Sequence, residues 1–211
     1  MKVFFLSLIF LSSSFFGFAQ KCVVANAKNN IAYVAVSNPL DIAVEGYLCK
    51  DFEVSTDNGK IEPGEDDCSR MYAPGGIGMA NIIIKDKKSK KEIGRVRMRV
   101  KDIPLPVARV GGKGNGEISK KILAKQLGVT TLLENFDFDV QFMVAGFTVN
   151  VTRNGKSIYE EQAKGPRFSA ATIAAFEKLA VSDKVIFTEI AVRTPADKVR
   201  EIAPLEFRII D

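Results

Sequence analysis

Asp137 and Asp139 are the residues whose type and spacing come nearest to catalytic chemistry. They lie two positions apart in a strand-like pattern, so both would point to one face, about 7 Å from each other. They could form half of a metal site or of a glycosidase-like site, and a carbohydrate-active enzyme would use Asp137 or Glu134. However, they alternate with Phe136 and Phe138, which is more typical of a solvent-facing polar row opposite an apolar core. We therefore predict no catalytic residues.

The composition restricts the remaining chemistry. The 211 residues include no histidine, which excludes Ser-His-Asp and Cys-His nucleophilic catalysis and the usual general base at neutral pH. The three cysteines fit no zinc spacing, and a closed zinc site would lack its usual fourth ligand. The sequence thus predicts a non-enzymatic protein without a metal or cofactor.

A row of cations is the best candidate for a binding surface. Arg95, Arg97, Arg99 and Lys101 alternate with small or apolar residues and follow a lysine-rich loop. On a strand all four would project from one face, where they could bind a carboxylate-rich protein or an anionic glycan. Cations on an edge strand also prevent unwanted edge-to-edge association, and this explanation stays open. Nucleic acid is a poor candidate because no exposed aromatic residues interleave with the charges.

The N-terminus has the pattern of a secretory signal peptide. Lys2 precedes an apolar stretch from Val3 to Phe18, and Gly17 and Ala19 provide small residues for cleavage. We therefore assign residues 1–19 to a signal peptide and expect a periplasmic or extracellular protein. No later apolar run is long enough for a membrane span.

Export makes disulfides possible. Cys49 and Cys68 lie within the first folded region and are the expected pair. Cys22 lies in the tail before the first predicted strand and would be free or available for an intermolecular bond. Its neighbour Lys21 disfavours a lipid-modified cysteine.

Residues 22–102 are predicted to form an antiparallel, immunoglobulin-like β-sandwich. Short strands, including one at Ile42–Leu48, are separated by turn signals at Asn38-Pro39 and Asn58-Gly59. Tyr33 is expected in the core of this sandwich. Two prolines at positions 104 and 106 then predict a stiff domain junction.

Residues 107–211 are predicted to form a second mainly β domain with one or two short helices. The pattern indicates a helix from Ile118 to Leu127 ended by Gly128, and then a strand-rich stretch from Leu132 to Val151. Asn154-Gly155 is a strong hairpin signal, and Ser169 is suited to cap a short helix.

Several stretches resemble one known family. Asn30 to Gly46 reads N-x-x-Y-V-x-V-x-N-P-x-x-I-x-V-x-G, and Val100 to Pro106 reads V-K-D-I-P-L-P. Together with Asn135 to Val140 and Pro204 to Ile209, they resemble the third and fourth periplasmic domains of the GldM family of gliding-motility and type IX secretion proteins. The resemblance implies a non-enzymatic periplasmic module that contacts envelope proteins, including outer-membrane-associated secretion components.

The chain also departs from that family. A cleavable signal peptide stands where the family has a membrane anchor and a helical domain, and neither the cysteines nor the row of cations belongs to the family pattern. We therefore predict an exported, free-standing interaction or structural module, with a secreted anionic-glycan-binding or carbohydrate-active protein as the alternative.

Overall fold

The chain folds mainly into β-structure, as the sequence predicted. A computed structural model describes residues 30–211, with 50% strand and 8% helix. The proposed signal peptide and Cys22 lie outside these residues.

The first region is a sandwich of two sheets. One sheet has the order β1-β7-β6-β3 and the other β2-β5-β4. The strands are β1 (Ile31–Tyr33), β2 (Asn38–Asp41), β3 (Phe52–Thr56), β4 (Lys60–Pro63), β5 (Ser69–Ala73), β6 (Gly78–Asp86) and β7 (Glu92–Lys101). Side chains from both sheets meet in one core, which comprises Ala32, Tyr72, Ala80, Ile82, Met98 and Val100. Most pairs are antiparallel, but β1 runs parallel to β7.

The buried side chain of Asn38 holds the crossing from the first sheet to the second. Its Oδ1 accepts the Tyr33 N–H at 2.8 Å. Its Nδ2 lies 2.9, 3.0 and 3.2 Å from the carbonyl oxygens of Tyr33, Val36 and Tyr72, to which it donates. The chain therefore turns at residues 34–37, and the turn predicted at Asn38-Pro39 is wrong, because these two residues begin β2. Pro39 is tolerated there because β2 is an edge strand.

The strand predicted at Ile42–Leu48 is also wrong. This stretch is irregular, turns at Gly46 with φ 77°, and leads into a 3-10 turn at Cys49–Asp51. Beyond one hydrogen bond from the Ile42 N–H to the Cys68 carbonyl at 3.1 Å, no strand among residues 30–211 pairs with it.

Gly59 allows the loop between β3 and β4 to lie close to the end of β5. Its φ is 105°, and a Cβ atom there would lie 2.1 Å from the Ala73 carbonyl oxygen. The backbone carbonyl oxygen of the neighbouring Asn58 accepts a hydrogen bond from the Tyr72 hydroxyl at 2.7 Å. The loop can therefore close over Tyr72 only with glycine at position 59.

The second region is built on a sheet with the order β12-β11-β13-β15-β9, to which β14 adds through β13, and on the small pair β10-β8. Its elements are β8 (Val107–Arg109), β9 (Gly116–Ile118), α1 (Lys120–Leu123), β10 (Thr130–Leu132), β11 (Met143–Arg153), β12 (Lys156–Lys164), α2 (Ala170–Glu177), β13 (Lys184–Arg193), β14 (Val199–Glu201) and β15 (Leu205–Ile209). The β9–β15 pair is parallel.

The predicted hairpin turn and the predicted helix cap of this region are both present. Asn154 and Gly155 have φ values of 51° and 76° and join β11 to β12 in the predicted hairpin. Ser169 Oγ accepts the Thr172 N–H at 3.0 Å and caps α2, whose Phe176 packs edge-on against Phe168 with ring centroids 5.2 Å apart.

The helix predicted at Ile118–Leu127 is only the four residues of α1. Gly128 is not its cap. A Cβ atom at Gly128 would lie 1.9 Å from the Pro166 carbonyl oxygen, so this glycine permits two backbones to approach each other closely.

An ion pair between Arg153 and the buried carboxylate of Asp183 connects the end of β11 to the residue before β13. Asp183, with 2% of its side chain exposed, accepts two hydrogen bonds from Arg153, at 2.9 and 2.7 Å, and one from the Ala180 N–H at 2.8 Å. The Arg153 guanidinium, and then the backbone N–H, lower the pKa of this carboxyl, although burial opposes the shift.

We predict that Gly59→Ala lowers the free energy of unfolding by more than about 1 kcal/mol, because both its φ and the nearby carbonyl disfavour a side chain. Urea denaturation provides the measurement. Gly76→Ala is the control, since a Cβ atom there meets nothing within 4 Å. Equal effects of the two changes would contradict the prediction.

We predict that Asp183→Asn costs roughly 2 kcal/mol at neutral pH, since it removes a charged acceptor of hydrogen bonds. The folded-state pKa is lowered, so the stability it provides is present above the unfolded pKa of about 4 and is lost as the pH falls through the folded value. The difference in Tm between wild type and variant should therefore shrink below about pH 4.

Asp197→Asn is the control for this experiment. Asp197 pairs with Arg193 at 2.7 Å but is 81% exposed, so its loss should change Tm little at any pH. A wild-type–variant difference at Asp183 that is constant from pH 7 to pH 2.5 would contradict the assignment.

Candidate partner-binding face

The four predicted cations lie on one exposed face of β7. Antiparallel pairing places Arg95 opposite Ile83, Arg97 opposite Asn81 and Arg99 opposite Met79. The side chains of Arg95, Arg97, Arg99 and Lys101 are all exposed; we refer to these four as the arginine row. Met98 and Val100 between them are buried on the other face.

The charges of the row are not equivalent. Arg95 makes a two-pronged contact with Glu92, at 2.9 Å from Nε and 2.7 Å from Nη2. This hydrogen bonding raises the pKa of Arg95 and lowers that of Glu92. Arg97 and Lys101 form no ion pair within residues 30–211. They are the cations most available to an acidic ligand.

The lysine-rich loop beside the row has a defined shape. Asp86 Oδ1 accepts the N–H groups of Lys88 and Ser89 at 3.1 and 2.5 Å, which lowers the pKa of Asp86. Lys90, at φ 60°, extends to Glu53 with an Nζ–Oε2 distance of 2.8 Å. The loop is thus anchored to the sheet, and part of its charge is already neutralised.

An aromatic cluster lies at the Lys101 end of the row. Tyr33 is the register partner of Lys101 on β1, and its ring centroid lies 4.8 Å from that of Phe136 and 5.7 Å from that of Phe138. Tyr33 was expected in the core of the first sandwich, but it contacts the second region instead. This contact was missed because its partners are about a hundred positions away in the sequence.

Residues 133–142 do not form the predicted strand. They run between β10 and β11 as an irregular segment in which Phe136 and Phe138 are half-buried while Asp137 and Asp139 are exposed. Glu134 forms an ion pair with Arg109. The described residues contain no group of three or more acidic or cysteine side chains that could hold a metal ion. The carboxylates therefore lack the enclosure that acid–base chemistry requires.

An open groove of about 610 Å³ lies beside this segment, lined by residues that include Leu133, Val140, Phe142 and Met143. Among the described residues, Arg193 is the one charged residue that lines it, and Arg193 pairs with Asp197. The groove thus offers apolar surface and no set of reactive groups.

The predicted disulfide is present. Cys49 and Cys68 are bonded, with Cα atoms 5.0 Å apart. Asp66 Oδ1 accepts the Cys68 N–H at 2.7 Å and shapes the loop before β5. The bond ties the 3-10 turn to the residue before β5, and the backbone carbonyl of Asp51 in this turn accepts the Lys87 N–H of the lysine-rich loop at 2.9 Å.

Comparison with known proteins gives one family. The GldM C-terminal domain family matches residues 104–210, just over half of the chain. No functionally curated protein matches the sequence. Among solved structures, the Yersinia pseudotuberculosis adhesin InvE is similar at 9% identity and a TM-score of 0.22, over 75% of this chain and 49% of that chain. The chain thus spans about half the length of that structure. In the part of the chain from Asn30 onwards, no helix is long and apolar enough to cross a membrane.

We predict that Tyr33→Ala lowers the free energy of unfolding by about 2 kcal/mol, because two aromatic contacts are lost. Tyr47→Ala is the control, since Tyr47 is also half-buried but makes no ring contact within residues 30–211. Urea denaturation measures both, and a larger effect at Tyr47 would contradict the role of the cluster.

Proposed function

The chain belongs to the GldM C-terminal domain family, and from this premise we propose that it is an exported, non-catalytic module of the gliding and type IX secretion machinery. It acts by holding a carboxylate-rich envelope protein against the arginine row. Its location is the periplasm, and its two β regions, residues 22–102 and 107–211, act as two domains.

The observation that carries the proposal is the exposed cationic face itself. Arg97 and Lys101 point the same way and have no ion-pair partner within residues 30–211. Such a surface attracts an acidic partner and suppresses binding of basic ones. No comparable use is evident for Asp137 and Asp139, which lie exposed on an irregular segment.

The aromatic cluster supports a role as a rigid connector. Tyr33 of the first region packs on Phe136 and Phe138 of the second, and Ile103, in the junction, is 8% exposed and belongs to the core of the second region. These contacts restrict the angle between the two regions, so a partner bound at β7 would be held in a defined orientation.

The proposal predicts that the tagged exported chain captures an envelope protein from membrane fractions after crosslinking. The double variant Arg97→Glu and Lys101→Glu should reduce capture at least roughly tenfold, because attraction becomes repulsion. Higher salt should weaken capture by the wild type, as exposed charges are screened.

The matched control is Lys121→Glu with Lys125→Glu, which changes the net charge equally at two exposed positions in and after α1. The control should capture the partner as well as the wild type. A chain that captures no partner, or a row variant that captures it undiminished, would contradict the proposal. Capture of anionic glycan in place of protein, lost in the row variant, would favour the alternative function.

A further inference from the structure

We propose that β7 binds its partner by strand addition: an extended segment of the partner, with acidic side chains at alternate positions, pairs with the free edge of β7 beside Arg95 and Arg97. This inference rests on the proposed function, because it specifies how the arginine row recognises an acidic protein.

The two edges of β7 are paired very differently. Along one edge, β6 pairs with β7 from Gly78–Val100 to Lys85–Glu92. Along the other, β1 pairs only with the last three residues of β7, opposite Arg99, Val100 and Lys101. Within residues 30–211, no strand pairs with residues 92–98 on that side. Among the described residues, more than half of this edge of the ten-residue strand β7 is therefore unpaired.

The hydrogen bonds to β1 establish which residues face this edge. The Arg99 N–H donates to the Asn30 carbonyl at 2.8 Å, and the Lys101 carbonyl accepts the Val34 N–H at 3.0 Å. Backbone groups alternate in direction along a strand, so those of Arg97 and Arg95 point to the same edge. A bulge at Ile93 ends this regular alternation. Within residues 30–211, no strand pairs with these two N–H and two C=O groups, which a partner strand could therefore bind.

The side chains around this edge define the chemistry of that strand. On the outer face, Arg97 has no ion-pair partner among the described residues, and Arg95 is held by Glu92. On the inner face, Val96 is 43% exposed, whereas Met98 and Val100 further along are 8% and 2% exposed. The second sheet therefore buries Met98 and Val100 but leaves Val96 partly exposed to solvent. A strand with acidic residues toward the arginines and apolar residues toward Val96 complements both faces.

Residues 21–29, which precede β1 in the sequence, do not have the acidic pattern that complements the arginine row. They include Lys21 and Lys28 and no acidic residue, and the first acidic residue of the whole chain is Asp41. The charge pattern therefore favours a strand from another protein.

Cations on a free edge can also serve to repel other strands. The two roles have opposite consequences for an acidic strand. If the arginines only repel, removing their charge increases strand association. If they recognise a partner, reversing their charge abolishes it.

The test uses the full exported chain and an eight-residue probe of alternating Asp and Val, acetylated and amidated at its ends. We expect it to bind, and to slow hydrogen exchange at the Arg95 and Arg97 amides at least tenfold, because strand addition satisfies these donors. A probe N-methylated at every second residue, so that it cannot donate along one edge, should bind at least roughly tenfold more weakly, as should the unmodified probe to Arg97→Glu.

The control probe has the same composition in two blocks, four Asp followed by four Val, and should not protect these amides. Four results would overturn the proposal: binding without protection of the Arg95 and Arg97 amides, equal binding of the N-methylated probe, no binding at millimolar probe, or amides already protected in the free chain. If the envelope partner is still captured in a charge-dependent way, strand addition fails while the proposed function stands. If capture fails as well, both fail.

Discussion

The buried amide of Asn38 is the interaction on which the N-terminal sandwich depends. It satisfies four backbone groups at the point where the chain leaves one sheet and enters the other. Its loss would remove the side-chain partner of the Tyr33 N–H and of the carbonyl groups of Tyr33 and Val36 at this part-buried turn, at about 1–3 kcal/mol for each group left without a partner. Because Asn38 also fixes the position of Tyr33, the same side chain determines where β1 ends and where the aromatic cluster begins.

The candidate binding surface lies beside this crossover. β1 pairs in parallel with only the last three residues of β7, and the chain turns away after Tyr33 at that same end of β7 to reach Asn38. Within residues 30–211, no other strand pairs with the rest of this edge, which lies beside the row of cations. The crossover and the aromatic junction therefore lie at the Lys101 end of β7, and the candidate site extends from there toward Arg95.

Local chemistry predicted part of this fold well. Asn154-Gly155 and Ser169 act through their own backbone geometry or a nearby N–H, so their roles are visible in the sequence. Alternation was less reliable, because it reports which side of an extended chain is buried and not whether the backbone has a neighbour. At residues 133–142 the alternation is real, but it occurs in an unpaired segment. The face of the arginine row could be inferred from spacing. Its unpaired edge and the Arg95–Glu92 pair could not be inferred in this way, because they depend on the order of the strands and on loop geometry.

The strand order of the second region has a consequence for biogenesis. β15 lies between β13 and β9, so a late segment of the chain is an interior strand of the sheet. The sheet cannot close until residues 205–209 have left the ribosome, and its β9–β15 contacts join segments about ninety residues apart. Such a region folds late and slowly, which keeps the chain extended for longer during synthesis. If the chain is exported as proposed, this delay lengthens the interval in which the unfolded chain can be translocated.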